Sequence, residues 1–430
     1  MSEGTAARQA MNGPYYCGID FGTSNSTVSL ATEHDHFLVA VEAAHDSIPS
    51  AIFFDFATGR PVFAREAIKD YRDGESGRLM RALKSVIGRP IFHDKTYIGK
   101  RHVTLADILS LFLRHLKGTA ERQIDRALDS VVLGRPVAFI DDEPDLDKKA
   151  QNDLEGAARK IGFKHIEFQF EPIAAALEYE ASVTSEQVIL IVDIGGGTSD
   201  FSIVRVSPER MKRTDRSDDI LANRGIRVGG TDFDRQLSVQ QFMAHFGRGT
   251  TYGDKDLDMP NGLYVDLSTW SNINSIYERK VHAGVRSLRR QARSPELLDR
   301  LLAVIEGHAG HRLIGDIEQA KITLSADTQT NVALDYIERD FAVPVSRDDL
   351  VNAISALMAK IENCVAMTVK DAGLAPERID TVFLTGGSSM ARPVQSLIRG
   401  LFPAAEIVSG DVFGAVGKGL GLDAKRKFGA

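Results

Sequence analysis

One pattern occurs twice in this chain and constrains its fold more than any other feature. Residues 18–31 read GIDFGTSNSTVSLA and residues 192–206 read VDIGGGTSDFSIVRV. Each copy is a buried strand that ends in an aspartate, followed by a Gly- and Thr/Ser-rich turn and a second strand. The copies lie too far apart along the chain for a solenoid repeat, so they predict two similar domains.

The chemistry of these turns suits phosphate. Glycines let backbone N–H groups converge on an anion, and Thr and Ser hydroxyls add donors. The carboxylates of Asp20 and Asp193, just before the turns, are typical ligands of hydrated Mg²⁺. A single turn of this kind is weak evidence, because such turns also occur as plain structure. Two copies predict a polyphosphate gripped from opposite sides of a cleft.

The rest of the chain alternates strands and helices, which indicates an α/β architecture. QVILIVDI, at residues 187–194, is a continuous apolar run that fits a strand buried on both faces. Thr104 and Asp107 can cap a helix that runs to about Leu128. From 247 to 294 the pattern weakens, and an irregular or inserted region is expected. The last clear element is GAVGKGLGL, followed by a basic tail.

Composition excludes several classes of protein. There are 52 Lys and Arg against 59 Asp and Glu, a net charge of −7, which argues against binding to nucleic acid or an anionic membrane. Cys17 and Cys364 make no zinc spacing and no disulfide framework, so both are expected to be small buried hydrophobes. The first residues lack an apolar signal core, and no apolar run approaches the roughly 20 residues of a membrane span. The default expectation is a cytoplasmic protein.

The motifs resemble those of a known superfamily, in the same order. GIDFGTSNS and VDIGGGTSDFS resemble the two phosphate loops of actin-like ATPases, and EPIAAALEY resembles their connecting segment. VGGTDFD, IEQAKITLS and LTGGSS resemble the later nucleotide-contacting motifs. LKSVIGRP is similar to a segment of DnaK-type chaperones, the heat shock protein 70 family, and more narrowly of its short YegD-like members. The resemblance implies an actin-like ATPase fold of duplicated ribonuclease H-like domains, with two lobes around a nucleotide cleft.

The expected domain plan follows from that resemblance. A flexible tail spans 1–14, the first lobe 15–186 and the second lobe 187–385, with the irregular insertion at about 247–294. A C-terminal segment, 386–430, is expected to return toward the first lobe. The YegD-like members lack a peptide-binding domain, and none is expected here.

The resemblance also assigns roles to individual residues. Asp20 and Asp193 would bind Mg²⁺, mainly through water, and Lys84 would offset charge on the transferring phosphoryl group. Glu171 and Asp193 would orient the attacking water, with Thr198 in the same catalytic set. These residue types suffice, because phosphoryl transfer needs mostly positioning and charge stabilisation. Without the other motifs, Glu171 would be interpreted as an acidic residue that stabilises the start of the helix that follows it.

The expected nucleotide contacts come from all the motifs. They are Gly22, Thr23, Ser24, Asn25, Gly195, Gly196, Gly197, Thr198, Gly229, Gly230, Glu318, Lys321, Ser325, Gly386, Gly387, Ser388 and Asp411. For Asp200, a role in the site and a role in its own turn are both open.

The base-binding side departs from the family pattern. Glu318, Lys321 and Ser325 share one helical face, but Ile322 replaces the arginine that usually follows the lysine. An apolar side chain can still cover adenine, yet it loses a cation–π contribution of about 0.5–2 kcal/mol. Met390 stands near the place of a second basic residue and Arg392 is displaced from it, so weaker nucleotide binding is expected.

Four functions are compatible with these motifs. The first is Mg²⁺-dependent ATP binding with slow hydrolysis that closes the lobes, in a chaperone-like protein with an unknown protein partner or client. The second is an MreB-like filament-forming actin homologue. A sugar or small-acid kinase would need an acceptor-activating aspartate, for which there is no convincing candidate. The fourth is a nucleotide-dependent binding module without significant turnover.

Overall fold

The computed structural model describes residues 13–43, 45–99, 101–140, 143–213, 215–270, 272–409 and 414–429. The strands in chain order are β1 (Tyr16–Phe21), β2 (Asn25–Ala31), β3 (His36–Leu38), β4 (Ser47–Pro49), β5 (Ala51–Asp55), β6 (Pro61–Phe63), β7 (Gly77–Arg81), β8 (Lys95–Ile98), β9 (Arg101–Thr104), β10 (Ser130–Arg135), β11 (His165–Phe170), β12 (Gln187–Ile194), β13 (Ser199–Val206), β14 (Ile220–Ile226), β15 (Thr251–Tyr252), β16 (Leu257–Asp258), β17 (Gln329–Ala333), β18 (Ala342–Ser346), β19 (Thr381–Thr385) and β20 (Glu406–Ser409).

The α-helices of the described residues begin and end as follows. They are α1 (Ala64–Arg72), α2 (Leu105–Ile124), α3 (Pro144–Lys160), α4 (Glu171–Glu180), α5 (Gly230–Leu237), α6 (Asn261–Leu267), α7 (Ile273–Ile276), α8 (Arg279–Gln291), α9 (Pro295–Glu306), α10 (Gly310–Ala326), α11 (Arg347–Asp371), α12 (Arg392–Leu401) and α13 (Ala415–Phe428). The predicted cap of α2 is present, since Thr104 and Asp107 form a reciprocal capping box.

Two sheets share one topology. The first has the order β11-β10-β1-β2-β3, with β4 also paired to β2, and the second has the order β14-β13-β12-β19-β20. In each, the central strand pairs antiparallel with the strand that follows it, and parallel with a later strand on its other side. The internal repeat of the sequence is therefore a repeat of architecture, and the predicted α/β class is confirmed.

This topology fixes where a ligand can bind. Asp20 lies near the carboxyl end of β1 and Asp193 near that of β12. Polar residues at the carboxyl ends of parallel strands face open space beyond the sheet, whereas the strand interiors are packed. Leu190 and Val192, for example, are fully buried in β12. The apolar strands thus hold the two aspartates at equivalent edges of two sheets.

The backbone of helix α13 packs directly against the first sheet and against α4. A Cβ added to Gly18 in β1 would lie 2.5 Å from the nitrogen of Gly421 in α13, and one on Gly419 would lie 1.9 Å from the carbonyl oxygen of Ala174 in α4. Real Cβ atoms do not approach so closely, so these glycines permit a contact that no other residue allows. The final helix is consequently locked between β1 and α4.

The basic end of the chain continues this helix, and the prediction of a tail there is wrong. Helix α13 runs to Phe428, and its cations bond to carbonyl oxygens elsewhere in the fold. Lys425 Nζ donates to Glu33 at 2.5 Å, and Lys427 Nζ donates to Phe168 at 2.6 Å. These two bonds could not be predicted from sequence because their acceptors are backbone atoms, which carry no sequence signal, whereas Arg426 and Lys427 also pair with Asp423 on the same helix.

The expectation of an irregular region at 247–294 is also wrong in part. This stretch contains helices α6, α7 and α8 and the hairpin β15–β16. In α8, Val281, Val285 and Leu288 lie on one face and pack against the core of the second sheet. That i, i+4, i+7 spacing is a helix signal, and the arginines between these residues obscured it. Whether the region is an insertion stays a prediction.

Helix α11 is long and apolar enough to cross a membrane, by length and composition only, with a mean hydropathy of 1.3 over its most apolar window. A core helix of a soluble protein meets the same test. Here Ile354, Ile361 and Val365 are buried in the hydrophobic core of the second sheet. The helix is therefore described as a core element.

Candidate functional site

The two predicted turns touch each other. In the first turn, residues 22–24, the Ser24 side chain points at the second turn, residues 195–198. A Cβ added to Gly196 would lie 2.2 Å from Ser24 Oγ. Because Gly196 has no side chain, the Ser24 hydroxyl can occupy this space. Both turns border one space, as the sequence predicts.

One serine, Ser50, holds the first turn through its hydroxyl and its backbone. The Ser50 backbone N–H donates to the Ser24 carbonyl oxygen at 2.8 Å, and Ser50 Oγ donates to the Gly22 carbonyl oxygen at 2.7 Å. Ser50 is buried and shares a further hydroxyl–hydroxyl bond with Ser26. Sequence reasoning missed Ser50, because it lies between β4 and β5 and no spacing rule connects it to the turn.

Backbone groups hold the second turn. The Gly195 N–H closes the turn onto the Thr198 carbonyl oxygen at 2.9 Å, and the Gly230 N–H donates to the Gly195 carbonyl oxygen at 3.0 Å. A Cβ on Gly229 would lie 2.6 Å from backbone atoms of Gly196. Gly229 and Gly230 thus support the turn directly, which accounts for glycines at both positions.

Lys84 and Glu171 form an ion pair across 87 residues of chain. Lys84 Nζ lies 2.5 Å from Glu171 Oε1, and the two side chains are only 12% and 16% exposed. Glu171 is the acidic residue in the first turn of α4, where Phe170 is the N-cap, and its carboxylate also accepts a hydrogen bond from Lys84 Nζ. Burial alone would lower the pKa of Lys84, but Glu171 and Asp20 outweigh burial and raise it. The lysine is therefore held as a cation.

Asp20 and Asp193 are half-buried in the same negative environment. Burial, with the nearby charge of Glu171, raises the pKa of Asp20 to about 7. Burial, with the charge of Asp200, raises the pKa of Asp193 to about 8. Asp200 therefore takes part in the electrostatics of the site. Four carboxyl groups, those of Asp20, Glu171, Asp193 and Asp200, thus lie within electrostatic range of the ammonium group of Lys84.

That imbalance of charge fits a divalent cation. Among the described residues, no group of three or more His, Cys, Asp or Glu side chains is placed to hold a metal ion unaided. Mg²⁺ usually keeps several waters and takes only one or two carboxylates together with substrate phosphates. Asp20 and Asp193 are suited to such a site, while a cage formed only by protein is not present in the described part of the chain.

Glycines leave room beside these carboxylates. A Cβ on Gly134 would lie 3.5 Å from Asp20 Oδ1, and a Cβ on Gly386 would lie 2.4 Å from Asp193 Oδ1. Gly386 also adopts a φ of +76°, which disfavours other residues. Gly387 starts the short turn that follows. Gly134 was not predicted, since no motif marks it.

The other end of the cleft gathers residues from three motifs. Lys321 Nζ lies 2.8 Å from Asp234 Oδ1 and 3.3 Å from the Gly230 carbonyl oxygen. A Cβ on Gly230 would lie 2.2 Å from Ser388 Oγ. Asp234 was missed, although the second aspartate of VGGTDFD lies one helical turn after Gly230. Burial raises the pKa of Asp234 to about 6, and Lys321 opposes that rise.

The predicted base-contacting side chains line the open rim of this end. Ile322 is 52% exposed and Met390 is 38% exposed. Arg392 Nε donates to the Ser325 carbonyl oxygen at 3.2 Å, which ties the turn after β19 to helix α10. Glu318 is exposed on the same helix. Asp411 lies outside the described residues.

A polar and aromatic cluster joins the two halves of the chain near this rim. Tyr71 Oη lies 2.9 Å from His311 Nε2 and 3.1 Å from Asn274 Oδ1. The Arg81 guanidinium lies 4.9 Å from the centre of a Trp270 ring. Burial lowers the pKa of His311 to about 4, so its ring is neutral at pH 7. No sequence pattern predicted this contact.

The family model for Hsp70 protein matches residues 87–259 and 303–420, which is more than half of the chain.

The chain belongs to the Hsp70 family.

Membership in the Hsp70 family confirms the predicted actin-like ATPase fold and places the chain among ATP-binding, chaperone-like ATPases that use ATP or ADP. The matched Hsp70 segments contain Glu171, the second turn and the motifs around Lys321 and Gly386. The first turn and Lys84 lie before them, so these rest on geometry. The YegD-like subgroup stays a prediction.

Proposed function

We propose that this Hsp70-family chain binds Mg²⁺–ATP between its two turns and hydrolyses it slowly, with closure of the two halves around the nucleotide. The observation that carries the proposal is the buried Lys84–Glu171 pair at 2.5 Å, beside Asp20 and Asp193. A binding module without turnover would need donors for phosphate. It would not need a buried cation paired with a carboxylate where the terminal phosphate is expected.

Each residue has a distinct task in this proposal. Backbone N–H groups of the two turns bind the phosphate chain. Bound Mg²⁺ would neutralise phosphate charge, with Asp20 and Asp193 holding its waters. Lys84 stabilises the negative charge of the transferring phosphoryl group, and Glu171 accepts a hydrogen bond from the attacking water. Such preorganised electrostatics supplies most of the rate gain in phosphoryl transfer.

Closure is supported by contacts between the halves. The Ser24 hydroxyl fits against Gly196, and Tyr71 reaches His311 across the cleft. A ligand that touches both halves only when they approach favours the closed form by the difference in its affinity for the two forms. Slower hydrogen exchange at both turns on adding ATP would measure that closure, and protection of one turn alone would contradict it.

The test is single-turnover hydrolysis by the purified chain at saturating Mg²⁺–ATP. Lys84→Ala should reduce the rate by roughly 10²–10³, which is the usual cost of losing one preorganised electrostatic contact. ATP affinity should stay within a few-fold of wild type. Lys164→Ala, which removes an exposed lysine paired with Asp129, is the matched control and should hydrolyse ATP normally.

Two results would overturn the proposal. If the wild-type chain binds ATP and shows no hydrolysis, the chain is a nucleotide-dependent binding module. If Lys84→Ala hydrolyses ATP as fast as wild type, another group performs the task given to Lys84.

A further inference from the structure

Lys84 is carried by a segment with little structure of its own. Residues 83–93, here called the lysine segment, consist of two short 3₁₀ turns, Leu83–Val86 and Pro90–His93, joined through Gly88. Neither turn is long enough to fix the direction of a side chain by itself. The position of Lys84 therefore depends on what the lysine segment packs against.

One carboxylate contacts both parts of the lysine segment. Asp153, on helix α3, accepts a hydrogen bond from the Gly88 N–H at 3.2 Å through Oδ2. Its other oxygen, Oδ1, lies 2.9 Å from His93 Nε2. The Asp153 side chain is only 11% exposed. A hydrogen bond to a charged group is stronger than one between neutral groups, so this anchor is well suited to set a position.

The backbone of the lysine segment lies directly on helix α3. Gly88 has a φ of +80°, and a Cβ there would lie 2.8 Å from the Ala150 Cβ and 3.0 Å from the Leu146 carbonyl oxygen. Apolar side chains of the segment join the same core cluster as this helix: Leu83, Ile87 and Phe92 pack with Ala150 and Leu154. Apolar contacts hold the segment on the helix, but they are not directional. The bonds to Asp153 supply the direction.

We propose that Asp153 is a positioning residue for Lys84. It does not contact the lysine. It fixes Gly88 and His93, and through them the turn that presents Lys84 to Glu171. This inference rests on the proposed function of Lys84 in hydrolysis. A displacement of about 1 Å in a reacting group costs as much as 10²-fold in rate, so a distant anchor of this kind has a measurable effect.

The test compares three variants in single-turnover hydrolysis. Asp153→Ala removes both bonds and should lower the rate about tenfold or more, with ATP affinity within about twofold of wild type. Asp153→Asn keeps an oxygen that accepts the Gly88 N–H, and it should restore the rate to within about threefold of wild type. Glu155→Ala, on the same helix and paired only with Arg159 in the described residues, is the control and should not change the rate.

A double mutant separates positioning from general damage. If Asp153 acts through Lys84, then Asp153→Ala should have little further effect on the rate of Lys84→Ala, because the two losses share one cause. A full additional tenfold loss in that background would overturn the proposal. So would an Asp153→Ala rate equal to that of Glu155→Ala.

A readout without hydrolysis keeps the two proposals distinguishable. Hydrogen exchange at the Gly88 amide should become at least about tenfold faster in Asp153→Ala than in Glu155→Ala, since the amide loses its acceptor. Unchanged exchange would overturn the anchor even if ATP turnover is normal. If the wild-type chain does not hydrolyse ATP, the proposed function is overturned. Hydrogen exchange at the Gly88 amide then tests by itself whether Asp153 anchors the lysine segment.

Discussion

The two turns have the same place in the same topology, yet they are supported differently. The first turn depends on the hydroxyl and backbone of one serine, Ser50. The second turn depends on the close approach of a glycine pair, Gly229 and Gly230. Duplication has therefore preserved the position of the turn and the aspartate before it. The support around each turn has diverged.

The difference shows which substitutions each turn can accept. A side-chain anchor such as Ser50 can be removed at the cost of its hydrogen bonds, about 0.5–1.5 kcal/mol each. A contact between backbones cannot accept even one methyl group without displacement, because a Cβ on Gly229 would lie 2.6 Å from backbone atoms of Gly196. The second turn is thus the more rigidly specified of the two.

Removal of the metal should give the largest effect, and it tests what the turns share. Each turn follows one half-buried aspartate, and without Mg²⁺ the phosphates would face several carboxyl groups. Close like charges cost several kcal/mol near a protein surface, so EDTA should weaken ATP binding by about a hundredfold or more. Calorimetry with and without EDTA measures this. Equal affinities would show that Asp20 and Asp193 do not share a metal site.

A pair of substitutions should next separate the turns from each other. Gly229→Ala should weaken ATP binding by about 10–100-fold, because overpacking of about 1–3 kcal/mol displaces the second turn. Ser50→Ala should weaken binding by only about 3–10-fold, through lost hydrogen bonds at the first turn. Gly284→Ala, whose added Cβ would meet no atom within 4 Å, is the control.

The reverse order of effects would contradict this comparison. If Ser50→Ala costs more affinity than Gly229→Ala, the first turn is the more rigidly specified one. Thermal unfolding of all three variants would show whether a loss of ATP affinity merely reflects unfolding.

The smallest effect is expected at the base, because the residues predicted to contact it, Glu318, Lys321 and Ser325 with Ile322 beside them, lie on one helix of the second half of the chain. Ile322→Arg should tighten ATP binding by about 2–30-fold, because a guanidinium over an adenine ring adds about 0.5–2 kcal/mol. Val351→Arg, another exposed apolar residue on a helix, adds the same charge elsewhere and should leave affinity unchanged. Equal gains in both variants would assign the effect to net charge.

The sequence predicted those parts of the site that are formed by residues close together in the chain. The strand–aspartate–turn repeat located both turns, and helical spacing put Lys321 on the face that meets Gly230. Lys84 and Glu171 were each expected in the site, although sequence alone did not show that they pair. The family resemblance supplied Lys84 and Glu171, whereas for the turns and for Lys321 the chemistry needs a residue type at a fixed distance from a strand end or along a helix.

The sequence did not predict the contacts between segments that are distant along the chain. Ser50, Gly134 and the Tyr71–His311 contact follow from how strands and helices pack, and no spacing connects them to the site. Helix α8 was a different case. Its Val281, Val285 and Leu288 pattern was present, but the dense positive charge around it was given more weight than the periodicity.

The glycine contacts of helix α13 have a consequence for how the protein is made. Gly18 in β1 lies against Gly421 in α13, so one segment packs against another that is synthesised about 400 residues later. Folding slows when contacts join distant parts of a chain. We therefore expect the face of the first sheet that α13 covers to stay exposed until the residues between Gly18 and Gly421 have been translated. We expect the protein to be most prone to aggregation during this stage of its synthesis.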